Sequence, residues 1–388
     1  MNAHRKGLSP LLVIYIVSFF YTLHVALPVY ANSTFLATLL PERWVGLIYT
    51  LSSLLTIIAL IVIPRILRSI GDYFATVFFI ILEIAMLLLI GANLTPALTI
   101  VFFVISSILV TLISFDFDLI VERFSKDAST GTIRGLYLTS ANIAWVIAPA
   151  LAGVILGNDQ FWRMYLMSAV IFLPALLIFV QKLERFKDPL YRTIHFRKGL
   201  TTVWNQRDLR YIFFVSFLLY FFFTVMVIYT PIYLHEHMGF AWDKLGILFS
   251  IMLLPFLLLE AWLGRIADKT LGEKELLIAG FVVMALSTGI ISFITSSSFM
   301  LWAGLLFSTR IGAAMVEIMT ETYFFKKIGG GDAQIVSLQR TIRPVAGVLG
   351  PIMATIILLV LPLKGLFLAL AILMLLGVPC ALMIRDTR

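Results

Sequence analysis

The sequence has few charged residues and a single cysteine. Charged side chains make up 13% of its 388 residues, roughly half the share of a soluble globular protein, so the chain lacks the polar surface that a soluble fold needs. With Cys380 as its one cysteine, it can form no internal disulfide and no metal site built on several cysteines. It has no Walker A sequence, no HExxH motif and no recognisable catalytic triad. We therefore expect no ATP-driven transport by this chain, no enzyme activity, no cofactor and no bound metal.

The sequence is instead rich in apolar residues. They make up 61% of the chain, and the mean hydropathy is +1.03, which predicts an all-α integral membrane protein. A membrane-crossing helix needs about 20 apolar residues, and the first apolar run, from Leu8, is too long for a cleavable signal, so we expect none. The apolar runs predict twelve spans, at 8–30, 43–64, 73–93, 97–121, 133–156, 162–182, 210–233, 243–264, 275–296, 299–323, 334–361 and 364–385.

The basic residues are divided unequally between the two sides of these spans. With the N-terminus placed inside, 22 of the 29 Lys and Arg residues fall on the inner side and 4 on the outer side. Because cytoplasmic loops are enriched in Lys and Arg, we expect both termini in the cytoplasm and the protein in the plasma (inner) membrane. The same enrichment accounts for the net charge of +8, so we do not expect nucleic acid as a partner.

The longest hydrophilic stretch lies in the middle of the chain. It predicts an N-terminal six-helix bundle over 1–182, a cytoplasmic linker over 183–209 and a C-terminal six-helix bundle over 210–388. The basic linker either contacts anionic lipid headgroups or forms an ordinary solvated loop. The two halves share glycines and prolines at offsets of 200 to 203 residues. This predicts a parallel repeat about an axis along the membrane normal. The matched pairs are Pro28 with Pro231, Gly46 with Gly246, Gly71 with Gly272, and Pro149 with Pro351.

The loop between spans eight and nine carries a further pattern, the sequence GRIADKTLGEK from Gly264 to Lys274. Together with twelve spans and the repeat, it resembles the major facilitator superfamily of secondary transporters, whose signature is G-x-L-A-D-[RK]-x-x-G-x-[RK]. The stretch from Arg134 to Gly153, RGLYLTSANIAWVIAPALAG, is similar to the family's fifth helix. The loop between spans two and three departs from the signature, because Ile63 and Leu67 stand where its glycine and aspartate would be.

The resemblance implies that two six-helix lobes alternate in exposing a central site to each side of the membrane. It implies a small organic solute as substrate, energy from an ion gradient, which we expect to be protons, and a working monomer within the lipid bilayer. The alternatives are a multidrug efflux antiporter, or a non-transporting sensor or lipid-handling protein on the same fold.

Ionisable residues inside spans are candidates for function, because a charge there costs a few kcal/mol. Arg310 lies near the middle of span ten, and spans one, four, seven and ten line the cavity in the resembled family. It either binds an anionic or zwitterionic substrate or pairs with an acid, Glu317 or Asp116. Gly312 beside it allows close helix approach. The other predicted cavity residues are His24, Tyr21, Asn142, Trp145, Tyr220 and Tyr229.

Proton coupling requires a buried group that titrates near physiological pH. The candidate acids are Asp116, Glu317 and Glu83, although Glu83 lies on a third span, which is peripheral in the family, and so braces the bundle in the alternative interpretation. The remaining inner charges form either a cytoplasmic gate, which the family's loop latches, or static pairs and interfacial side chains. The predicted gate residues are Gly264, Asp268, Lys269, Gly272, Arg68, Asp118, Glu122, Arg134, Glu321, Arg340 and Arg343.

Overall fold

The computed structural model confirms the all-helical prediction. It describes residues 10–124, 130–183, 196–259, 262–263, 266–267, 272–328 and 333–385, and within them every regular element is a helix. The helices of the first half are α1 (Pro10–Val29), α2 (Asn32–Leu39), α3 (Glu42–Ile70), α4 (Asp72–Ala92), α5 (Pro96–Phe124), α6 (Thr130–Leu156) and α7 (Phe161–Leu183).

The second half continues the helical pattern. Its helices are α8 (Phe196–Asn205), α9 (Arg207–Ile232), α10 (Trp242–Leu258), α11 (Glu273–Ile291), α12 (Phe299–Ile328), α13 (Ala333–Leu358), α14 (Leu363–Leu375) and α15 (Gly377–Met383). Helix α9 runs on into one turn of π-helix at Tyr233–His237.

Eleven helical segments in the described part of the chain are long and apolar enough to cross a membrane. They coincide with eleven of the twelve predicted spans. The eighth prediction, 243–264, corresponds to α10, which has 17 residues in its described part. At 1.5 Å per residue such a helix is about 26 Å long, shorter than the roughly 30 Å hydrocarbon layer. The protein is therefore an integral membrane protein, and the eighth of the twelve predicted spans, 243–264, stays a prediction.

Two local features differ from the sequence prediction. Helix α2 lies in a stretch predicted as a loop, and its residues Ser33 to Leu36 are buried. The twelfth predicted span is broken at Leu376 into α14 and α15. Pro379 explains the break, because it has no backbone N–H to bond the carbonyl of Leu375.

The helices form two compact units. The first unit comprises Met1–Val29 and Leu55–Tyr191, and the second comprises Tyr30–Leu54 and Arg192–Arg388. In the first unit, α1 packs against α6 and α7, and α4 packs against α5 and α7. In the second unit, α12 packs against α10 and α11, and α9 packs against α13. The segment 30–54, which includes the first half of α3, thus packs with the second half of the chain.

Glycines bring α11 and α12 into close contact. A Cβ atom added to Gly312 would lie 2.6 Å from the carbonyl oxygen of Gly280, and one added to Gly280 would lie 2.9 Å from the carbonyl oxygen of Gly312. Because the atoms that such a Cβ would meet are backbone oxygens, a larger residue at either position would force the two helices apart. The expected close approach at Gly312 is thereby confirmed, and it fixes the part of α12 that carries Arg310.

Candidate functional site

Arg310 is enclosed by aromatic side chains of the second unit. Only 2% of the residue is exposed. The central carbon of its guanidinium lies 5.4 Å from the ring centroids of both Phe222 and Phe223 on α9, and the Tyr30 hydroxyl accepts a hydrogen bond from it. Tyr30 in turn stacks on Phe249 of α10, with the two ring centroids 4.8 Å apart. These contacts hold the guanidinium plane in one place.

Part of the hydrogen-bonding capacity of Arg310 is unused. Its Nε and Nη1 atoms are buried, and no described residue lies in hydrogen-bonding geometry with either. A guanidinium carries five N–H donors in a fixed fork, and leaving buried donors unsatisfied is costly. Within the described part of the chain, Nε and Nη1 therefore keep N–H donors that a bound acceptor could satisfy.

An acidic residue lies near the same guanidinium. Glu317 follows Arg310 by seven residues, about two turns of α12, and its charge attracts Arg310. Of the two acids predicted as partners, Glu317 is the one that the second unit brings close. Asp116 belongs to the first unit, where its carboxyl group lies within hydrogen-bonding distance of the Thr76 hydroxyl.

Several charged residues, including predicted gate residues, lie near Tyr220. The Arg343 guanidinium lies 5.5 Å from the centre of its ring, and the charges of Glu317 and Glu321 also act on it. Arg343, Arg340 and Glu321 are exposed. Helices α9, α12 and α13 thus place acids and bases around one half-buried tyrosine.

Tyr229 lies at a different place in the second unit, against Gly46 of α3. A Cβ atom on Gly46 would collide with the Tyr229 hydroxyl and would lie 2.9 Å from both the Pro351 carbonyl oxygen and the Thr355 hydroxyl oxygen. Tyr229 itself is completely buried. The glycine is therefore what lets α3 approach α9 and α13 here.

The same close contact continues along α3. The Thr50 hydroxyl donates a 3.4 Å hydrogen bond to the Val348 carbonyl oxygen. One turn further on, a Cβ atom added to Gly347 would lie 2.7 Å from the Ser53 hydroxyl oxygen. We call this stretch, from Gly46 to Ser53, the α3 contact strip.

In the first unit, Tyr21 and His24 belong to one aromatic cluster. The His24 ring stacks on Phe172 with centroids 3.8 Å apart, and the Tyr21 hydroxyl donates a 2.6 Å hydrogen bond to the Val110 carbonyl oxygen. His24 is 1% exposed, and neither ring nitrogen is in hydrogen-bonding geometry with a described group. Its ring packs on Phe172, and its place in a substrate cavity stays a prediction.

Asn142 and Trp145 lie on α6 and are half-buried. Trp145 packs against a small cluster that includes Leu23 and Ala148, where α6 meets α1. The structure thus places Trp145 beside the predicted first span, and the roles of Trp145 and Asn142 in a cavity stay predictions.

The two predicted proton-coupling acids of the first unit link α4 to α5. Glu83 accepts a 2.8 Å hydrogen bond from the Ser106 hydroxyl. The Thr76 hydroxyl oxygen lies 3.0 Å from Asp116 Oδ2 and 2.8 Å from the backbone carbonyl oxygen of Asp72. Asp116 Oδ1 is buried with no hydrogen-bond partner among the described residues. Glu83 thus has a bracing contact, and Asp116 has a contact that depends on where the hydroxyl proton lies.

The predicted gate is only partly described. Gly272 and its repeat partner Gly71 both take positive φ, of 139° and 82°, immediately before α11 and α4, in agreement with the repeat. The Nε of Arg68 donates a hydrogen bond to the Pro64 carbonyl oxygen of its own helix. The gate residues that lie outside the described backbone or side chains are Gly264, Asp268, Lys269, Asp118, Glu122 and Arg134.

Two ion pairs near the C-terminal end of α12 were not predicted. Lys326 pairs with the buried Glu273 at 2.5 Å, and Lys327 pairs with Asp208 at 2.7 Å. The aromatic neighbours of Arg310 were missed as well. The run of three phenylalanines around Phe222, at the depth of an intramembrane arginine, is the pattern that predicts a cation–π contact.

Comparison with known proteins gives a family and a fold. The model of the Major Facilitator Superfamily matches residues 11–329, and no curated protein matches the sequence. Two similar solved structures are both of the nucleoside transporter NupG. A mutant of NupG has a TM-score of 0.76 and 13% identity, covering 97% of this chain and 100% of its own. The second NupG structure has a TM-score of 0.75 and 11% identity, covering 97% and 98%. At these identities the likeness shows the fold alone.

Proposed function

Because this chain belongs to the Major Facilitator Superfamily, we propose that it is a secondary transporter that moves a small organic anion or zwitterion by alternating access, coupled to protons. Both matched structures are transporters, which favours transport over the sensor and lipid-handling alternatives. Arg310 is the substrate anchor in this proposal.

The carrying observation is the buried guanidinium with unused donors. Arg310 retains its charge under all physiological conditions, and a carboxylate can accept two parallel N–H bonds from one guanidinium. Nε and Nη1 lack partners in the described part of the chain, and Phe222 and Phe223 lie against the guanidinium. A carboxylate on an apolar body would satisfy both features.

A thermal-stability screen of the purified full-length protein tests this proposal. A ligand at one hundred times its Kd stabilises the folded state by about 2.7 kcal/mol, so a rise in melting temperature reports binding. We expect carboxylates to raise it. Nucleosides, which the matched NupG transports by its name, carry no charge at neutral pH and form the competing group with hydrophobic cations. Stabilisation by these groups alone would contradict the choice of an anion.

The α3 contact strip supports the alternating-access part. Its residues pack within the second unit, whereas α1 before it and the rest of α3 after it belong to the first unit. Any rearrangement of one unit relative to the other must therefore break the contacts of the strip or bend α3. We propose that these contacts open and close during transport.

Gly46→Ala is expected to shift the protein towards the state in which the strip is released. The added methyl group would lie 2.9 Å from the backbone carbonyl oxygen of Pro351, and overpacking of this kind costs about 1–3 kcal/mol, a shift of about 5-fold to 150-fold. The readout is the labelling rate of a Thr50→Cys reporter by maleimide in a Cys380→Ser background. We expect the labelling rate to increase by about fivefold or more.

Gly304→Ala is the matched control, because nothing lies within 4 Å of a Cβ atom placed there. It should leave the labelling rate of the reporter unchanged. An unchanged rate in folded Gly46→Ala protein would mean that the strip does not move.

A further inference from the structure

Helix α8 has an apolar side that the protein covers only in part. Val203 is buried, and α8 packs against α9 and α13. Leu200 and Trp204 are four residues apart and therefore share a face, yet they are 61% and 70% exposed. We call these two residues the α8 stripe.

Basic side chains border the α8 stripe. The guanidinium of Arg210 lies 5.7 Å from the centre of the Trp204 ring, and that of Arg207 lies 5.8 Å from the centre of the Tyr211 ring. Both arginines are exposed. The one acid among them, Asp208, is engaged by Lys327, so it does not cancel their charge towards the surroundings.

The chain connection places α8 at the level of a membrane boundary. Gln206 alone separates it from α9, which is one of the membrane-crossing helices. An exposed apolar stripe at that level, bordered by arginines, has the composition of a helix that lies in the membrane interface. Tryptophan is enriched at this depth, and arginine reaches from it to the headgroups.

We propose that α8 lies in the headgroup layer and binds anionic lipid. The α8 stripe contacts the acyl chains, and Arg207 and Arg210 contact the lipid phosphates. The attraction of basic residues to anionic headgroups is an electrostatic one, so the partner is a lipid with net negative charge. This surface is separate from the proposed substrate anchor.

Spin labelling of the full-length protein in vesicles tests the depth of α8. Because Cys380 is the only cysteine, a Cys380→Ser background allows a single label at Leu200→Cys, with Asn205→Cys on another side of the same helix as the matched control. We expect the label at 200 to collide several times more often with oxygen than with a water-soluble nickel chelate, and the label at 205 to do the reverse. Equal preference of both labels for nickel would show a solvated helix and overturn the proposal.

The headgroup preference is tested with the double variant Arg207→Gln and Arg210→Gln. Each basic residue near an anionic surface strengthens binding by about fivefold, so the variant should lose about 25-fold in apparent affinity for phosphatidylglycerol, measured by thermal stabilisation. The variant with lysine at both positions keeps the charges and should keep most of the affinity. Equal affinity of the glutamine variant and the wild type, or no preference of the wild type for phosphatidylglycerol over phosphatidylcholine, would contradict anionic lipid as the partner.

Discussion

Arg310→Met is expected to weaken binding of carboxylates by at least about 30-fold while leaving the protein folded. Methionine fills a similar volume against Phe222 and Phe223 and brings no buried charge. Replacing a buried charge by a packed apolar residue is often neutral or stabilising. Losing the charged partner of a bound carboxylate costs 2–5 kcal/mol, which corresponds to an affinity loss of about 30-fold to several thousand-fold.

The same variant separates the two interpretations of Arg310. If its main role is to neutralise Glu317, methionine removes a cation that attracts this half-buried acid, and the melting temperature of the ligand-free protein should fall sharply. If its main role is to bind substrate, the ligand-free protein should melt at the wild-type temperature or above it. A sharp fall would therefore contradict the substrate interpretation, whatever happens to binding.

Arg310→Lys and Arg343→Ala serve as controls in the same assay. Lysine keeps the charge and loses the planar fork, so we expect binding to weaken without disappearing. Arg343 is exposed and lies against Tyr220, and its loss should leave carboxylate binding within a factor of about three, since surface changes are within about 0.5 kcal/mol. Isothermal titration of each purified variant supplies the affinities. If both Arg310 variants bound carboxylates with the affinity of the wild type, Arg310 would not be part of the binding site.

The fold was largely predictable because membrane helices are determined by composition. An apolar run of about 20 residues can satisfy its backbone in lipid only as a helix, so eleven spans were located from hydropathy. Helix α2 was missed because it is too short to produce such a run, and its burial depends on neighbours such as α9 that lie far away in sequence. The break after α14 had a local cause, Pro379, that hydropathy alone does not reveal.

The site was less predictable, because it depends on which helices touch. Charge inside a span was enough to select Arg310, Asp116 and Glu83. It could not reveal that Tyr30 bonds to Arg310, since Tyr30 lies 280 residues away. The position of Tyr229 on a span predicted a cavity residue, but it could not reveal that the Tyr229 hydroxyl lies against Gly46.

The internal repeat shows which ionisable residues the two halves share and which they do not. An offset of 201 residues, which matches Gly71 with Gly272, also matches Asp116 with Glu317 and Leu109 with Arg310. The acid is thus present in both halves, whereas the cation is present only in the second. Glu317 has Arg310 near it, and Asp116 faces a hydroxyl instead. An acid that does not depend on a fixed cation is the better carrier of a proton.

Asp116→Asn is expected to uncouple transport from the proton gradient without destabilising the protein. The Thr76 hydroxyl has one proton and two acceptors in reach, the Asp72 carbonyl oxygen and Asp116 Oδ2. If the hydroxyl bonds to the carbonyl, as threonines in helices often do, the contact with Asp116 is a hydrogen bond only when the carboxyl group is protonated and donates. In that arrangement the carboxyl group holds a proton, whereas a hydroxyl that donates to Asp116 Oδ2 fits the ionised carboxylate.

Asparagine imitates the protonated carboxyl, because its side-chain N–H₂ can donate to the same hydroxyl oxygen. We expect the variant to melt at the wild-type temperature or above it at neutral pH. We also expect it to exchange substrate across vesicle membranes at a rate within a factor of about three of the wild type, since its bonding is conserved. Accumulation driven by a pH gradient should fall at least tenfold, because the variant cannot release the proton.

Glu83→Gln is the matched control, since it removes a second buried acid between the same two helices. The Ser106 hydroxyl donates to Glu83 Oε1, and a glutamine oxygen accepts the same bond, so packing and coupling should both survive. The measurement is substrate uptake into proteoliposomes with and without an imposed pH gradient. If Glu83→Gln loses gradient-driven accumulation and Asp116→Asn retains it, the proton is carried by Glu83, and the Thr76 contact is structural. If both variants retain it, neither acid of the α4–α5 contact carries the proton, and coupling must be sought at Glu317 in the second unit.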